Sequence, residues 1–241
     1  MIEAARAALR ECSDKSHAKV LQRYFKTGPG EYGEGDQFIG VRVPAMRSVA
    51  RRYRDLSLTD TLTLLQSAIH EERFLALLIL KQKYRKGRSG EQSEIYEKYL
   101  DNTQYVNNWD LVDTSAEHIV GAYLSNRSRR PLYDLARSNC LWERRIAIMA
   151  TFHFIRNDEF DETLKLAEML VNDTEDLIHK AVGWMLREIG KRDRSAEESF
   201  LNKYYQRMPR TMLRYAIEKF PEDVRQQYLK GTIKGGKLRK F

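Results

Sequence analysis

The sequence is poor in proline, glycine and cysteine, which supply 5, 13 and 2 of its 241 residues. So few turn residues argue against an all-β chain. The cysteines, Cys12 and Cys140, offer no disulfide framework and favour a reducing compartment. Cys140 precedes an apolar helix, so we interpret it as a packed thiol rather than a nucleophile. No apolar run approaches the roughly 20 residues of a membrane span, and the first residues lack a secretory signal. We therefore expect a cytoplasmic protein with no membrane partner.

The patterns of the common catalytic and cofactor sites are also missing. The five histidines are never closer than 26 residues, and no His-Glu-x-x-His or Cys/His cluster occurs. The sequence contains no Gly-x-Ser-x-Gly and no kinase signature. We therefore expect no metal and no other cofactor.

The charge is unbalanced, with 42 basic against 34 acidic residues and a net charge of +8. A basic excess is typical of nucleic-acid-binding proteins. Part of it lies in residues 230–241, which hold five basic residues and no acid. The body, residues 1–229, is only mildly basic, so a DNA site there depends on where its charges lie.

Helical periodicity runs through most of the sequence, and no strand-like alternation lasts for six residues. Proline at first-turn positions and Ser or Asp at cap positions mark helix starts. The pattern predicts fourteen helices, near residues 2–12, 15–26, 44–54, 59–67, 71–86, 91–101, 109–123, 130–137, 141–155, 159–171, 175–190, 196–205, 209–219 and 222–228. Between the second and third lies a glycine-rich loop, residues 27–43, whose length suggests a functional segment or a lid.

A weak internal repeat gives the architecture. Glu-Arg-x-(Leu/Ile)-Ala-(Leu/Ile) occurs in EERFLALLIL at 71–80 and in WERRIAIMAT at 142–151. Small or slender residues recur in comparable helices at intervals of 36, 35, 36 and 33 residues, at Ala76, Val112, Ala147, Gly183 and Ala216. Two helices per interval predict an all-α fold, an α-solenoid of HEAT-like helix pairs with a concave binding face. We expect one solenoid domain over 1–229, followed by a basic tail, 230–241.

The helix at 175–190 has a stripe of cations around an indole. Lys180, Trp184, Arg187 and Lys191 lie at i, i+4, i+7 and i+11, and hence on one side of the helix. Cations suit phosphates, and an aromatic ring packs on sugars or bases. The alternative is a solvated face with Trp184 tucked against a neighbouring helix.

Two arginines interrupt the apolar helix at 141–155. Arg144 and Arg145 are expected to be largely buried, and a buried guanidinium needs a carboxylate or a phosphate partner. The first option is a structural ion pair with Glu143 or with an acid on the next helix. The second is DNA, and we include Arg144 with Lys180, Arg187, Lys191 and Arg214 as DNA-binding candidates on inner-layer helices.

The helix near 109 places an aspartate beside an indole. Asp113 lies four residues after Trp109, on the same face, and beyond the first turn where a cap would explain it. When the helices are aligned on the small residues of the repeat, four side chains fall within four residues of one level on three inner helices: Trp109, Asp113, Arg145 and Trp184. Four residues correspond to about 6 Å along the helix axis. The spacing suggests that the four side chains share one patch.

Four segments carry a family resemblance: FIGVRVPAMRSVARRY at 38–53, NNWDLVDTSAEHIVG at 107–121, LWERRIAIM at 141–149 and HKAVGWMLREIGKRD at 179–193. The chain resembles the AlkD-type DNA alkylpurine glycosylases, a HEAT-like-repeat family, over roughly 20–220. The resemblance implies removal of N3- and N7-alkylated purines from duplex DNA, without a pocket for a flipped base. It assigns the catalytic carboxylate to Asp113, the lesion-flanking tryptophans to Trp109 and Trp184, and the active-site arginine to Arg145. The expected protein is a monomeric enzyme, associated with the nucleoid through DNA.

Two other functions fit a helical repeat. A catalytically silent protein that binds branched or damaged DNA would need the basic stripe but would give Asp113 no role. A protein–protein scaffold would have a concave face without clustered cations, and the stripe from Lys180 to Lys191 counts against it.

Overall fold

The computed structural model describes residues 1–233, and residues 234–241 of the predicted tail lie outside the described part. Within residues 1–233 every regular element is helical and there is no strand, apart from an isolated parallel bridge between Gln37 and Ile69. All fourteen predicted helices are present, which confirms the all-α fold class. None of the helices in this part of the chain combines the length and the hydropathy of a membrane span.

The chain divides into two compact units, Met1–Tyr123 and Leu124–Phe241. The first unit, called unit 1, contains α1 (Ile2–Glu11), α2 (Lys15–Tyr24), α3 (Val43–Arg52), α4 (Leu58–Leu65), α5 (His70–Lys86), α6 (Ser89–Leu100) and α7 (Trp109–Ala116). A short 3-10 turn, Thr103–Tyr105, precedes α7, and a π-helical turn, Glu117–Gly121, joins it to α8 (Ala122–Leu124). The helix predicted over 109–123 therefore changes its hydrogen-bond pattern after Ala116.

The second unit, called unit 2, contains α9 (Arg130–Ala136), α10 (Leu141–Ala150), α11 (Phe152–Ile155), α12 (Asp161–Leu170), α13 (Asp176–Gly190), α14 (Arg194–Tyr204), α15 (Arg210–Ala216) and α16 (Glu222–Lys230). The helix predicted over 141–155 is interrupted at Thr151, whose hydroxyl donates to the carbonyl of Ile148 at 2.7 Å. Cys140 is exposed at the N-cap of α10, so its interpretation as a packed thiol is wrong.

The repeat sets the packing within each unit. The recurring small residues lie on α5, α7, α10, α13 and α15, and all five are buried. In unit 1, α5 packs against both α4 and α7; in unit 2, α13 packs against both α10 and α15. A buried small residue lets two helix axes approach closely, which explains its recurrence on these five helices.

The two copies of the Glu-Arg motif make the same contacts. Arg73 donates to the carbonyl of Ser67, six residues upstream, at 2.9 Å, and Arg144 donates to the carbonyl of Ser138, also six upstream, at 3.0 Å. Each arginine also binds an aspartate of its own unit. The repeat is therefore structural as well as sequential. The single solenoid domain over 1–229 and its concave face stay predictions.

Candidate active site

A cavity of about 610 Å³ opens in unit 1, beside two of the predicted catalytic residues, Trp109 and Asp113. Its walls come from α2, the glycine-rich loop, α3, α5 and α7. The lining residues include the aromatic side chains Tyr24, Phe25, Phe38, Phe74 and Trp109, the acids Asp110 and Asp113, and the arginines Arg42 and Arg47. Trp109 and Asp113 thus lie on the wall of a cavity.

The aromatic wall is a continuous stack that supports Trp109. Phe25 stacks on the indole with 5.2 Å between ring centroids and on Phe38 with 5.1 Å, and Phe38 stacks on His70 at 4.4 Å. Tyr24, which is 61% exposed, meets the indole edge-on at 5.9 Å. Because stacked rings prefer particular tilts and distances, these contacts support the indole of Trp109 on the cavity wall.

Helix α7 brings Trp109 and Asp113 to the cavity. Asn108 caps the helix, its side-chain oxygen accepting from the backbone N–H of Trp109 at 2.8 Å. Trp109 and Asp113 are both half-buried, as the i, i+4 spacing on one helix face predicts. Asp113 therefore has the partial exposure that contact with a bound substrate requires.

A chain of buried charges lies under the aromatic wall. His70 bonds Asp36 at 3.0 Å through Nδ1 and Asp110 at 2.9 Å through Nε2. Arg73 donates to the other oxygen of Asp36 at 2.6 Å. The chain joins the glycine-rich loop, α5 and α7, and so it ties the loop to the helix that carries Trp109.

The carboxylates keep His70 charged. Burial by itself lowers the pKa of His70, but the charge of Asp110 and the hydrogen bonds to Asp110 and Asp36 outweigh it and raise the pKa to about 9. Burial likewise raises the pKa of Asp36, and His70 and Arg73 together bring it below its ordinary value. Two cations thus balance two carboxylates, which is the condition under which charges tolerate burial.

The side chain of Glu71 anchors the glycine-rich loop through backbone N–H groups of that loop. Its buried carboxylate accepts from the N–H groups of Ile39, Gly40 and Val41, at 2.7 Å for Gly40. Gly40 has a φ of +86°, and a Cβ there would lie 2.0 Å from the carbonyl oxygen of Asp14. Glycine is therefore required at this position, and the loop forms a wall of the cavity.

The other two predicted catalytic residues belong to unit 2. Arg145, on α10, is 4% exposed and donates to the carbonyl of Leu177 at 2.5 Å. Trp184, on α13, is half-buried; its Nε1 donates to Glu188 at 3.0 Å, and its ring lies 6.0 Å from that of Phe152. Each unit thus contains two of the four residues, and their convergence on one patch stays a prediction.

Most of the predicted DNA-binding cations have acidic partners within unit 2. Arg144 donates to Asp173 at 2.7 Å, and Lys180 pairs with Asp176 at 2.7 Å. Arg187 pairs with Glu218, and Lys191 pairs with Glu188 at 2.6 Å. Arg214 is exposed. For Arg144 this is the structural ion pair that the sequence left open. A DNA contact by these five residues stays a prediction.

The buried chain of Asp36, His70 and Asp110 was not predicted from the sequence. The acidic partners of the cations on α13 were not predicted either. Asp36, His70 and Asp110 are 34 and 40 residues apart, so no local spacing connects them. One signal was available: three consecutive charged residues, Glu71 to Arg73, stand in the first turn of α5 directly before its apolar stretch, residues 74–80, and all three are buried. Residues 1–233 contain no group of three or more His, Cys, Asp or Glu side chains that could hold a metal ion.

The fold and the site together define a class, that of all-α helical-repeat proteins with an aromatic and acidic cavity. A family model described as "DNA alkylation repair enzyme" matches residues 5–220. The chain belongs to this family.

Solved structures agree on the fold. A predicted DNA alkylation repair enzyme from Enterococcus faecalis is 16% identical, with a TM-score of 0.67 over 87% of this chain and 97% of that one. AlkD2 from Streptococcus mutans is 15% identical, with a TM-score of 0.54 over 85% and 97%. The protein smu.31 from Streptococcus mutans UA159 is 16% identical, with a TM-score of 0.52 over 84% and 95%. No curated protein matches the chain.

Proposed function

We propose that this protein is a DNA N-glycosylase that hydrolyses the bond between deoxyribose and an N3- or N7-alkylated purine in duplex DNA. It acts as a monomer, needs no metal, and meets its substrate in the cytoplasm on the nucleoid. The observation that carries the proposal is the placement of Trp109 and Asp113 on one aromatic cavity, in a chain of the alkylation repair family.

The chemistry of the lesion explains why a single catalytic carboxylate suffices. A purine alkylated at N3 or N7 is cationic, so it leaves as a neutral base and needs no general acid. The sugar gains positive charge as the bond breaks. A carboxylate fixed nearby stabilises that charge and positions water at the anomeric carbon. We assign this role to Asp113, which lines the cavity.

The aromatic wall suits a cationic substrate. The faces of Trp109 and its neighbours carry the negative part of the ring quadrupole, which attracts a cationic base or sugar. The stack of Phe25 and Phe38 behind the indole reduces the entropy lost when a ligand binds. Trp184 and Arg145 stay candidates for contact with the damaged strand, as the family resemblance implies.

The test is release of free N7-methylguanine from a duplex that contains one such residue, measured by chromatography after incubation with excess protein. The proposal predicts stoichiometric release and an abasic site that alkali cleaves. Binding to the same duplex without release would favour a catalytically silent DNA-binding protein. Absence of both would exclude DNA repair by direct contact.

A further inference from the structure

Three cations crowd together beside the cavity. Arg47 lies on α3 and lines the cavity, while Lys81 and Arg85 lie one turn apart on α5, which packs against α3. Burial and the positive charges of Arg47 and Arg85 lower the pKa of Lys81, against the opposing charge of Glu117. Both arginines are therefore close enough to Lys81 for their charges to act on it.

These cations lack the carboxylate partners that most of the unit 2 cations have. Arg47 and Arg85 are exposed, Lys81 is half-buried, and none of the three forms an ion pair with any of residues 1–233. Arg42, exposed at the N-cap of α3 and also on the cavity, has no ion pair in this part of the chain either. We call Arg42, Arg47, Lys81 and Arg85 the cationic cluster.

The cluster adjoins the catalytic candidate. Arg42 and Arg47 share the cavity with Asp113. Glu117, whose charge acts on Lys81, follows Asp113 by one helical turn. Clustered like charges without counter-ions destabilise a fold, and a bound polyanion removes that penalty. A paired cation, by contrast, must first lose its carboxylate.

We propose that the cationic cluster binds the backbone phosphates of the DNA strand whose nucleotide faces the cavity. The identity of that nucleotide rests on the proposed function; the phosphate contact does not. Arginine offers paired N–H donors to a phosphate, and lysine adds a point charge. Such contacts set the register of the duplex on the protein, which brings one nucleotide to Trp109 and Asp113.

The test measures binding of a fluorescent, undamaged duplex by anisotropy between 50 and 200 mM salt. The variants are Arg47→Gln, Lys81→Gln and Arg85→Gln. Each lost phosphate contact is expected to lower the slope of log affinity against log salt by about 0.9. Lys98→Gln is the matched control, because Lys98 is a lysine of unit 1 on α6 that pairs with Asp101 at 3.5 Å.

Wild-type slopes in all three variants would overturn the proposal, and so would an equal loss in Lys98→Gln or salt-independent binding by the wild type. Melting curves exclude unfolding as the cause. Release of N7-methylguanine is measured separately. Release of N7-methylguanine with unchanged salt slopes would contradict phosphate binding by the cationic cluster and support the glycosylase activity. Reduced slopes without release would support phosphate binding by the cluster and contradict the glycosylase activity.

Discussion

At the scale of single residues, the site depends on buried charges as much as on the groups that face the cavity. His70 is 2% exposed, yet its bonds to Asp36 and Asp110 hold the wall that supports Trp109. The carboxylate of Asp110, three residues before Asp113, forms an ion pair with His70. Asp110 thus has a structural role, while the chemistry of the proposed function is assigned to Asp113.

The charge of His70 predicts a pH-dependent contribution to stability. Its pKa is raised from 6.5 to about 9 in the fold, so the contribution is complete below about pH 6.5 and is lost as pH rises through 9. His70→Gln should therefore lower the melting temperature strongly at pH 6 and much less at pH 9.5, with a cost on the order of 1–3 kcal/mol at the lower pH. Thermal melts across this range check it. His17→Gln serves as the control, and an equal deficit in His70→Gln at both pH values would contradict the prediction.

At the scale of elements, helix packing requires small side chains at the repeat positions. Gly183 on α13 faces α15 so closely that a Cβ would lie 2.4 Å from the carbonyl oxygen of Met212 and 2.5 Å from the Cβ of Tyr215. The nearest obstacle is backbone, which cannot rotate away. The two helices would have to separate.

Gly183→Ala should therefore destabilise the protein by about 1–3 kcal/mol, seen as a lower melting temperature. Gly90→Ala on α6 is the control, since an added Cβ there meets nothing within 4 Å. Alanine is the better helix former, so the control should be neutral or slightly stabilising. A Gly183→Ala protein with the melting temperature of the wild type would show that α13 and α15 can separate at little cost.

Most of the helices and the repeat were predictable from the sequence, because hydrophobic periodicity and residue spacing are local features. The helix limits agree within a few residues, and the small residues at intervals of about 36 are all buried on helices that pack together within each unit. The local partner of Lys191 was within reach of the sequence, because Glu188 lies three residues before it, although the stripe pattern did not include it. The partner of Arg144 was not predictable, because Asp173 lies 29 residues away. Long-range pairing depends on tertiary packing, which one sequence does not reveal.

At the scale of the whole molecule, charge is spread over the body and the tail. Residues 234–241 carry four of the basic residues and no acid. Helix α16 ends at Lys230 and closes with Gly231 in the left-handed region, at a φ of +69°. A chain that ends at Ile233 therefore keeps the helix and its cap intact.

Removal of residues 234–241 should weaken duplex binding only modestly, because the cationic cluster lies in unit 1. Anisotropy titrations of the truncated and the full chain at 100 mM salt measure the difference, with equal melting temperatures as the control. Complete loss of binding on truncation would place the DNA site in the tail and contradict the account of the body.

The central claim is that the carboxylate of Asp113 does the chemistry. Asp113→Asn keeps the size of the side chain and removes its charge. The decisive measurement is single-turnover release of N7-methylguanine by this variant at saturating protein, beside the wild type and with melting curves for both. We predict a loss of about tenfold or more in rate, which corresponds to about 1.4 kcal/mol of barrier, at unchanged melting temperature and near-normal DNA affinity. Wild-type release by Asp113→Asn would contradict the assignment.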